Sequence, residues 1–191
     1  GLGFDHSHPA FGQRAVRQAI AEAINREQVI SNAGPRTKTT PDVATAIATD
    51  DQETYLGDAM SNYTGYSKGS SNVERADQLM SEAGFSKDGG TWKNSNGSSV
   101  RLPIIVPAAW TDWVSAIQTV VDQLSAAGFD AAVDTRPFGN ISGNIWPNSE
   151  NFNVIAFYWL PGGARSAFPY FPLEWQLVHS AGVLDYQYRE E

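Results

Sequence analysis

The chain has 191 residues, with 13 Lys plus Arg against 21 Asp plus Glu, a net charge of −8, and 41% hydrophobic residues. That apolar content excludes a wholly disordered chain, and the length fits one domain or slightly more. The acidic balance argues against nucleic acid or an anionic membrane as the main partner, since both want a basic patch, and the lack of cysteine removes disulfide scaffolds, thiolate metal sites and Cys nucleophiles together.

No apolar run approaches the roughly 18 residues a membrane span needs. The chain starts Gly1-Leu2-Gly3-Phe4 with neither Met nor a leader, which reads as a processed or excised piece. Aromatics are plentiful: Trp 6, Tyr 7 and Phe 9.

From Gln13 to Ser31 the apolar residues Val16, Ala19, Ile20, Ala23, Ile24 and Ile30 follow helical spacing, and Gly34-Pro35 stops the helix. Residues 35 to 70 are rich in Thr, Asp, Ser and Gly and read as a long irregular surface segment. A second helix is expected from Val73 to Ala83, capped by Asn72 or by Ser71 with Glu74, and ended by Gly84 with Phe85 packing back. Lys87 to Ser99 reads as turns with a short hairpin at most, through Asp88-Gly89-Gly90, Trp92 and Asn96-Gly97.

A compact β-α-β pattern follows. Val100 to Val106 is a short apolar strand, Trp113 to Ala127 a helix, and Phe129 to Thr135 a second strand. The connection is long enough for a right-handed crossover, which predicts parallel pairing. Pro137 to Glu150 is a Gly/Asn-rich loop, Asn153 to Trp159 a third strand, and the remaining aromatic tail yields at most a short helix around Glu174 to His179.

Several constellations carry candidate chemistry. Trp110-Thr111-Asp112-Trp113 sits where the first strand of that unit hands over to its helix, where open α/β sheets bind ligands. Two indoles flanking a carboxylate suit sugar faces or apolar side chains; the bland alternative is that Thr111 or Asp112 caps the helix and the rings are core. Trp159 ends the third strand in a similar place, and Trp146 lies in the loop before it. Gly65-Tyr66-Ser67-Lys68-Gly69 matches the serine-nucleophile pattern, but that chemistry needs a buried strand leading into the turn, and residues 58 to 64 are polar. His6, His8 and His179 lack carboxylates at ligand spacing and read as ordinary surface residues, so no metal site is expected. Asn62-Tyr63-Thr64, Asn96-Gly97-Ser98 and Asn140-Ile141-Ser142 are glycosylation-type sequons, compatible with an exported protein.

The order of segments resembles a known family. Pro9-Ala10-Phe11 followed by Arg14 to Ile20 and Ala23-Ile24-Asn25-Arg26-Glu27 is similar to the "rVRqAiayAidRe" helix of family 5 extracellular solute-binding proteins, the receptors of ABC importers for peptides, nickel and oligosaccharides. Asn72 to Phe85 resembles the family's "DpekAkeLLaeAGf" segment. Asp88-Gly89-Gly90-Thr91-Trp92 through Leu102, then Gln118 through Val133, match the stretches that follow, so the likeness runs over roughly residues 5 to 160. The family's members are more than twice as long and have two lobes. Where they carry an Asp-and-Pro segment after the third strand, Trp159-Leu160-Pro161-Gly162-Gly163 stands here.

The resemblance implies an α/β fold of the periplasmic-binding-protein type II class, a mixed sheet with flanking helices. Residues 1–191 would form most of the C-terminal lobe, with 160–191 as an unassigned tail. It implies a binding module, without catalysis or cofactor, that holds an oligosaccharide or oligopeptide between two lobes. Its partners would be the missing N-terminal lobe and ABC permease subunits. It would lie outside the cytoplasm, lipid-anchored in the full-length protein. Trp110, Thr111, Asp112 and Trp113, with Trp159, are the expected ligand wall of this lobe. The alternatives are a serine hydrolase using Ser67 and a cell-surface domain with no transport role.

Overall fold

The computed structural model describes residues 1–34, 49–62, 65–145 and 154–156. Its main sheet has four strands, β1 (Leu2–Phe4), β4 (Arg101–Pro107), β5 (Asp130–Arg136) and β6 (Val154–Ala156), in the order β1-β6-β4-β5. β4 pairs in parallel with β5, from Arg101 opposite Asp130 to Pro107 opposite Arg136, and in parallel with β6 through Ile104–Val154 and Ile105–Ile155. β1 runs antiparallel to β6, with Leu2 opposite Ala156. The sheet is therefore mixed, as the family resemblance implied. The carboxyl ends of β4, β5 and β6 share one edge, and the helix α5 (Thr111–Ala126) makes the crossover from β4 to β5.

The core forms because β4 alternates. Leu102, Ile104 and Val106 are fully buried on one face. They pack with Ile117, Val120, Val121 and Leu124 from α5 and Phe129 at the foot of β5. Each such side chain contributes about 1.5–3 kcal/mol relative to exposure. Ile105, on the opposite face, meets Ile141 and Ile145 in a smaller cluster.

The first helical stretch differs from its expected single helix. It is broken into α1 (Arg14–Glu22) and α2 (Arg26–Ala33). The cause is Asn25, whose side-chain oxygen accepts the backbone N–H of Gln28 at 3.0 Å and starts a new helix. The Asn25 backbone N–H in turn donates to Oε1 of Gln123 in α5 at 2.9 Å, which anchors the corner to the core. α4 (Val73–Glu82) matches its expected position, and Asn72 resolves the cap by accepting from the N–H of Arg75. Ala76, Leu79 and Met80 face the core together with Val16, Ala19 and Ile20 of α1.

The irregular stretch also differs in part. Thr49–Leu56 forms helix α3 and runs into a 3₁₀ turn, Gly57–Asn62. The segment before α4 is strapped to the α1–α2 corner through three consecutive carbonyls. Ser67 O accepts from the Arg26 guanidinium, Lys68 O from the Glu27 backbone N–H, and Gly69 O from the Asn25 Nδ2. Arg26 also lies over the ring of Tyr66, 4.7 Å from its centroid, and burial holds its pKa below the ordinary arginine value.

The expected hairpin is present as β2 (Ser86–Asp88) and β3 (Thr91–Lys93), joined by Gly89 and Gly90, both at positive φ. Its Trp92 is buried, donates from Nε1 to Ala127 O at 3.1 Å, and fastens the hairpin to the end of α5. Gly128, at φ 96°, permits that contact: a Cβ there would stand 2.6 Å from Gly90 O. Two sequence expectations, the tail after the third strand and the helix around Glu174 to His179, lie outside the described residues.

Candidate functional site

The sequence places Trp110 to Trp113 at the carboxyl edge of the sheet, and the local chain path explains the placement. Pro107 ends β4. The Ala108 N–H donates to Arg136 O at 2.8 Å, which keeps the emerging chain beside the end of β5. The Trp110 N–H donates back to Pro107 O, and Trp110 O accepts the first helical hydrogen bond of α5, from Val114. Trp110 itself thus occupies the cap position, with no side-chain cap. Thr111 and Asp112 lie inside the first turn, which corrects the alternative in which one of them capped the helix. Both are exposed, and the Asp112 carboxylate stands at the positive end of the helix dipole.

The rings gather into a cluster. Trp113 meets Trp110 edge to face, with centroids 5.0 Å apart and planes at 77°. Phe138 stacks on Trp110 at 5.1 Å and 25°. Trp113 packs partly against the main core, whereas Phe138 is 38% exposed and forms the outer layer. The cluster is therefore a graded platform, rooted at Trp113 and open at Phe138.

Phe138 was not singled out by the sequence, which reads Pro137 to Glu150 as a loop. It opens a short helix, α6 (Phe138–Asn140), continuous with a π turn, Ile141–Ile145. The available signal was positional: Phe138 follows β5 as Trp110 follows β4, and the Pro107–Arg136 register aligns the two exits. Trp159 and Trp146 lie outside the described residues.

A charged pair lies near the end of β5. Arg136 grips Asp134 through Nε and Nη2, at distances from 2.7 to 3.2 Å, and both are part-buried. That hydrogen bonding raises the arginine pKa above its ordinary value. Arg136 is the last residue of β5, and Pro137 separates it from Phe138. An apolar ring surface beside an exposed carboxylate can hold a solute through ring stacking with a few directional hydrogen bonds.

The other candidates fare differently. Ser67 Oγ shares a 2.7 Å hydrogen bond with Ser70 Oγ, and Gly65 and Tyr66 directly before it are not in a strand. The strained strand-to-helix elbow that the serine-nucleophile pattern requires is not built there. His8 uses Nδ1 to accept the N–H groups of Ala10 and Phe11, at 3.2 and 3.4 Å, and stacks on Phe11. Among the described residues no three His, Asp or Glu side chains are grouped so as to hold a metal ion, and no helix is long and apolar enough to cross a membrane.

Comparison with known proteins gives the following. The model of the bacterial extracellular solute-binding proteins, family 5 middle, matches residues 1–175. The chain superposes on the periplasmic oligopeptide-binding protein of an oligopeptide ABC transporter from Thermotoga maritima, with mannohexaose bound, at TM-score 0.70 and 22% identity, covering 81% of this chain and 28% of that one. It superposes on the oligopeptide-binding protein AppA from Bacillus subtilis, in complex with a nonapeptide, at 0.72 and 17%, covering 100% and 36%. NikA from Brucella suis, in complex with Fe(III)-EDTA, gives 0.66 and 18%, covering 94% and 36%. The chain thus spans about a third of these proteins' length, and the likeness shows the fold. No curated protein matches it.

Proposed function

The chain belongs to the bacterial extracellular solute-binding proteins of family 5, and on that premise we propose that it is most of the C-terminal lobe of an ABC importer's receptor. The fold is that of the type II periplasmic binding proteins. In this reading a second lobe closes over a solute held at the carboxyl edge of β4 and β5. Ligand contacts made by both lobes stabilise the closed form, which the permease subunits then recognise. The protein works outside the cytoplasm, held to the surface by a lipid anchor on the complete receptor.

The observation that carries this reading is the Trp110–Phe138–Trp113 platform at that edge. Trp110, Thr111, Asp112 and Trp113 form this lobe's ligand wall, Phe138 extends it, and Trp159 is the proposed continuation. Stacked rings favour a solute with flat apolar faces, an oligosaccharide first and an oligopeptide second. Mannohexaose and a nonapeptide, bound by two of the structural neighbours, represent those classes. The test is a tryptophan-fluorescence titration of the two-lobed receptor with mannohexaose, a set of oligopeptides and Fe(III)-EDTA. A saturable response to the sugar or to peptides supports the reading. Silence to both, or a response to the chelate alone, overturns the choice of solute. Covalent labelling of Ser67 by a serine-reactive probe would instead revive the hydrolase.

A further inference from the structure

We propose that Asn96 is an acceptor for an N-linked glycan, carried on the end of the domain away from the solute platform. The proposal rests on the extracytoplasmic placement given above, because glycan transfer to Asn-X-Ser/Thr belongs to exported chains.

The turn at residues 94–98 is built without the acceptor side chain. Asn94 does the structural work: its Oδ1 accepts the backbone N–H groups of Asn96 and Ser98, each at 3.0 Å. The Asn94 N–H donates to Ser98 O and its carbonyl accepts from Gly97 N, while an antiparallel bridge between Lys93 and Ser99 closes the base. Asn96, Gly97 and Ser98 are all exposed. Neither the carboxamide of Asn96 nor the hydroxyl of Ser98 is engaged by another described residue. Gly97, at φ 77°, stands in open space, with nothing within 4 Å of the position a Cβ would take. A transferase needs that carboxamide and that hydroxyl together on a strand it can reach, and this turn offers both.

The Asn140-Ile141-Ser142 sequon provides an internal contrast. Its middle residue is buried, 1% exposed, against Ile105 and Ile145, and the Ser142 hydroxyl donates to Gly139 O. Presenting Asn140 to an enzyme would require pulling Ile141 out of its cluster. The Asn62 sequon extends beyond the described residues. Location also favours Asn96. It precedes β4 at the amino end, whereas the aromatic platform follows the carboxyl end, and a seven-residue strand spans roughly 20 Å. A bulky, hydrated substituent there leaves the solute edge open.

The transfer balances without a redox step. The Asn96 Nδ2 attacks the anomeric carbon of a lipid-linked oligosaccharide. A C–N bond forms, the C–O bond to the lipid phosphate breaks, the lipid phosphate leaves, and one carboxamide proton passes to a base of the transferase.

The test is glycopeptide mass spectrometry on the protein purified from its native source, beside the folded protein treated with a purified oligosaccharyltransferase and its lipid-linked oligosaccharide. The expected result is sugar on the Asn96 peptide and none on the Asn140 peptide in both samples. Asn96→Gln and Ser98→Ala should abolish it, while Ser98→Thr should retain it. A bare Asn96 in the native protein overturns the proposal, as does conversion of Asn96 to aspartate without sugar, or occupancy at Asn140 instead. Solute titration of the same native preparation separates the glycan from the receptor function: a bare Asn96 beside normal solute binding sinks the first and spares the second.

Discussion

The indole of Trp110 lies against the ring of Phe138, with centroids 5.1 Å apart and planes 25° from parallel. One face of the indole is therefore already covered, and Phe138, 38% exposed, forms the outer ring of the stack. In the two-lobed receptor, Trp110→Ala should weaken solute binding by about 2–3 kcal/mol and Phe138→Ala by about 1–2 kcal/mol. Trp113→Ala should chiefly lower the melting temperature, because that ring leans on the core. Calorimetric titration beside thermal melting reads both effects. Unchanged affinity in Trp110→Ala would return the ring to a packing role.

The residues of this chain supply only one wall of the proposed site. The 191-residue chain alone should bind mannohexaose or an oligopeptide feebly. Micromolar or tighter affinity, measured by the same titration, would count against a site shared between lobes.

Gly128 is held at φ 96°, and Gly90 O stands 2.6 Å from the position a Cβ on it would take. Gly128→Ala adds left-handed strain and a backbone clash, and should cost roughly 2–4 kcal/mol of stability in urea denaturation. Gly97→Ala shares the strain but meets no neighbour, and should cost about 1–2 kcal/mol.

The side chain of Asn25 plays two parts: its oxygen caps α2 and its amide holds Gly69 O. Asn25→Ala should lose about 1 kcal/mol or more. Asn25→Asp keeps the acceptor and loses only the strap, so its melting temperature should fall between those of the wild type and the alanine variant.

The turn held by His8 requires a neutral imidazole, since Nδ1 accepts two backbone N–H groups. Burial lowers the His8 pKa below 6.5, against the opposing pull of Asp5. His6 is lowered likewise by burial and by Arg17, again opposed by Asp5. The unfolded chain then binds more protons than the folded one near and below pH 6.5, so stability is complete above that value and declines as pH falls through it. Denaturant melts across that range should show this slope, and His8→Gln should flatten it. A slope of opposite sign would contradict the neutral acceptor role of His8.

The β4–α5–β5 unit was legible because burial imposes its own pattern there. Leu102, Ile104 and Val106 alternate, and Ile117, Val121 and Leu124 keep helical spacing. The break at Asn25 was not, because Ile24 and Ile30 sustain the apolar period across it while a single side-chain hydrogen bond divides the helix. α3 is not legible in the sequence, since Thr49 to Leu56 carries no apolar stripe and tertiary context rather than pattern makes it helical. The same limit hid Phe138. Nothing near it in sequence ties it to Trp110; the pairing of Pro107 with Arg136 and the Ala108 N–H bond to Arg136 O bring the two strand exits together.

The strap before α4 has a dynamic consequence. Ser67, Lys68 and Gly69 are fastened through their oxygens, by donors that all come from residues 25 to 27. The amide groups of Ser67 and Gly69 take no part in that fastening. They can trade hydrogen for deuterium with water while the segment stays where it is. An exchange map will mark the Ser67 and Gly69 amides as unprotected, although the segment's position is set by three anchors. Rapid labelling here measures which end of the peptide unit is bound, not how far the chain wanders.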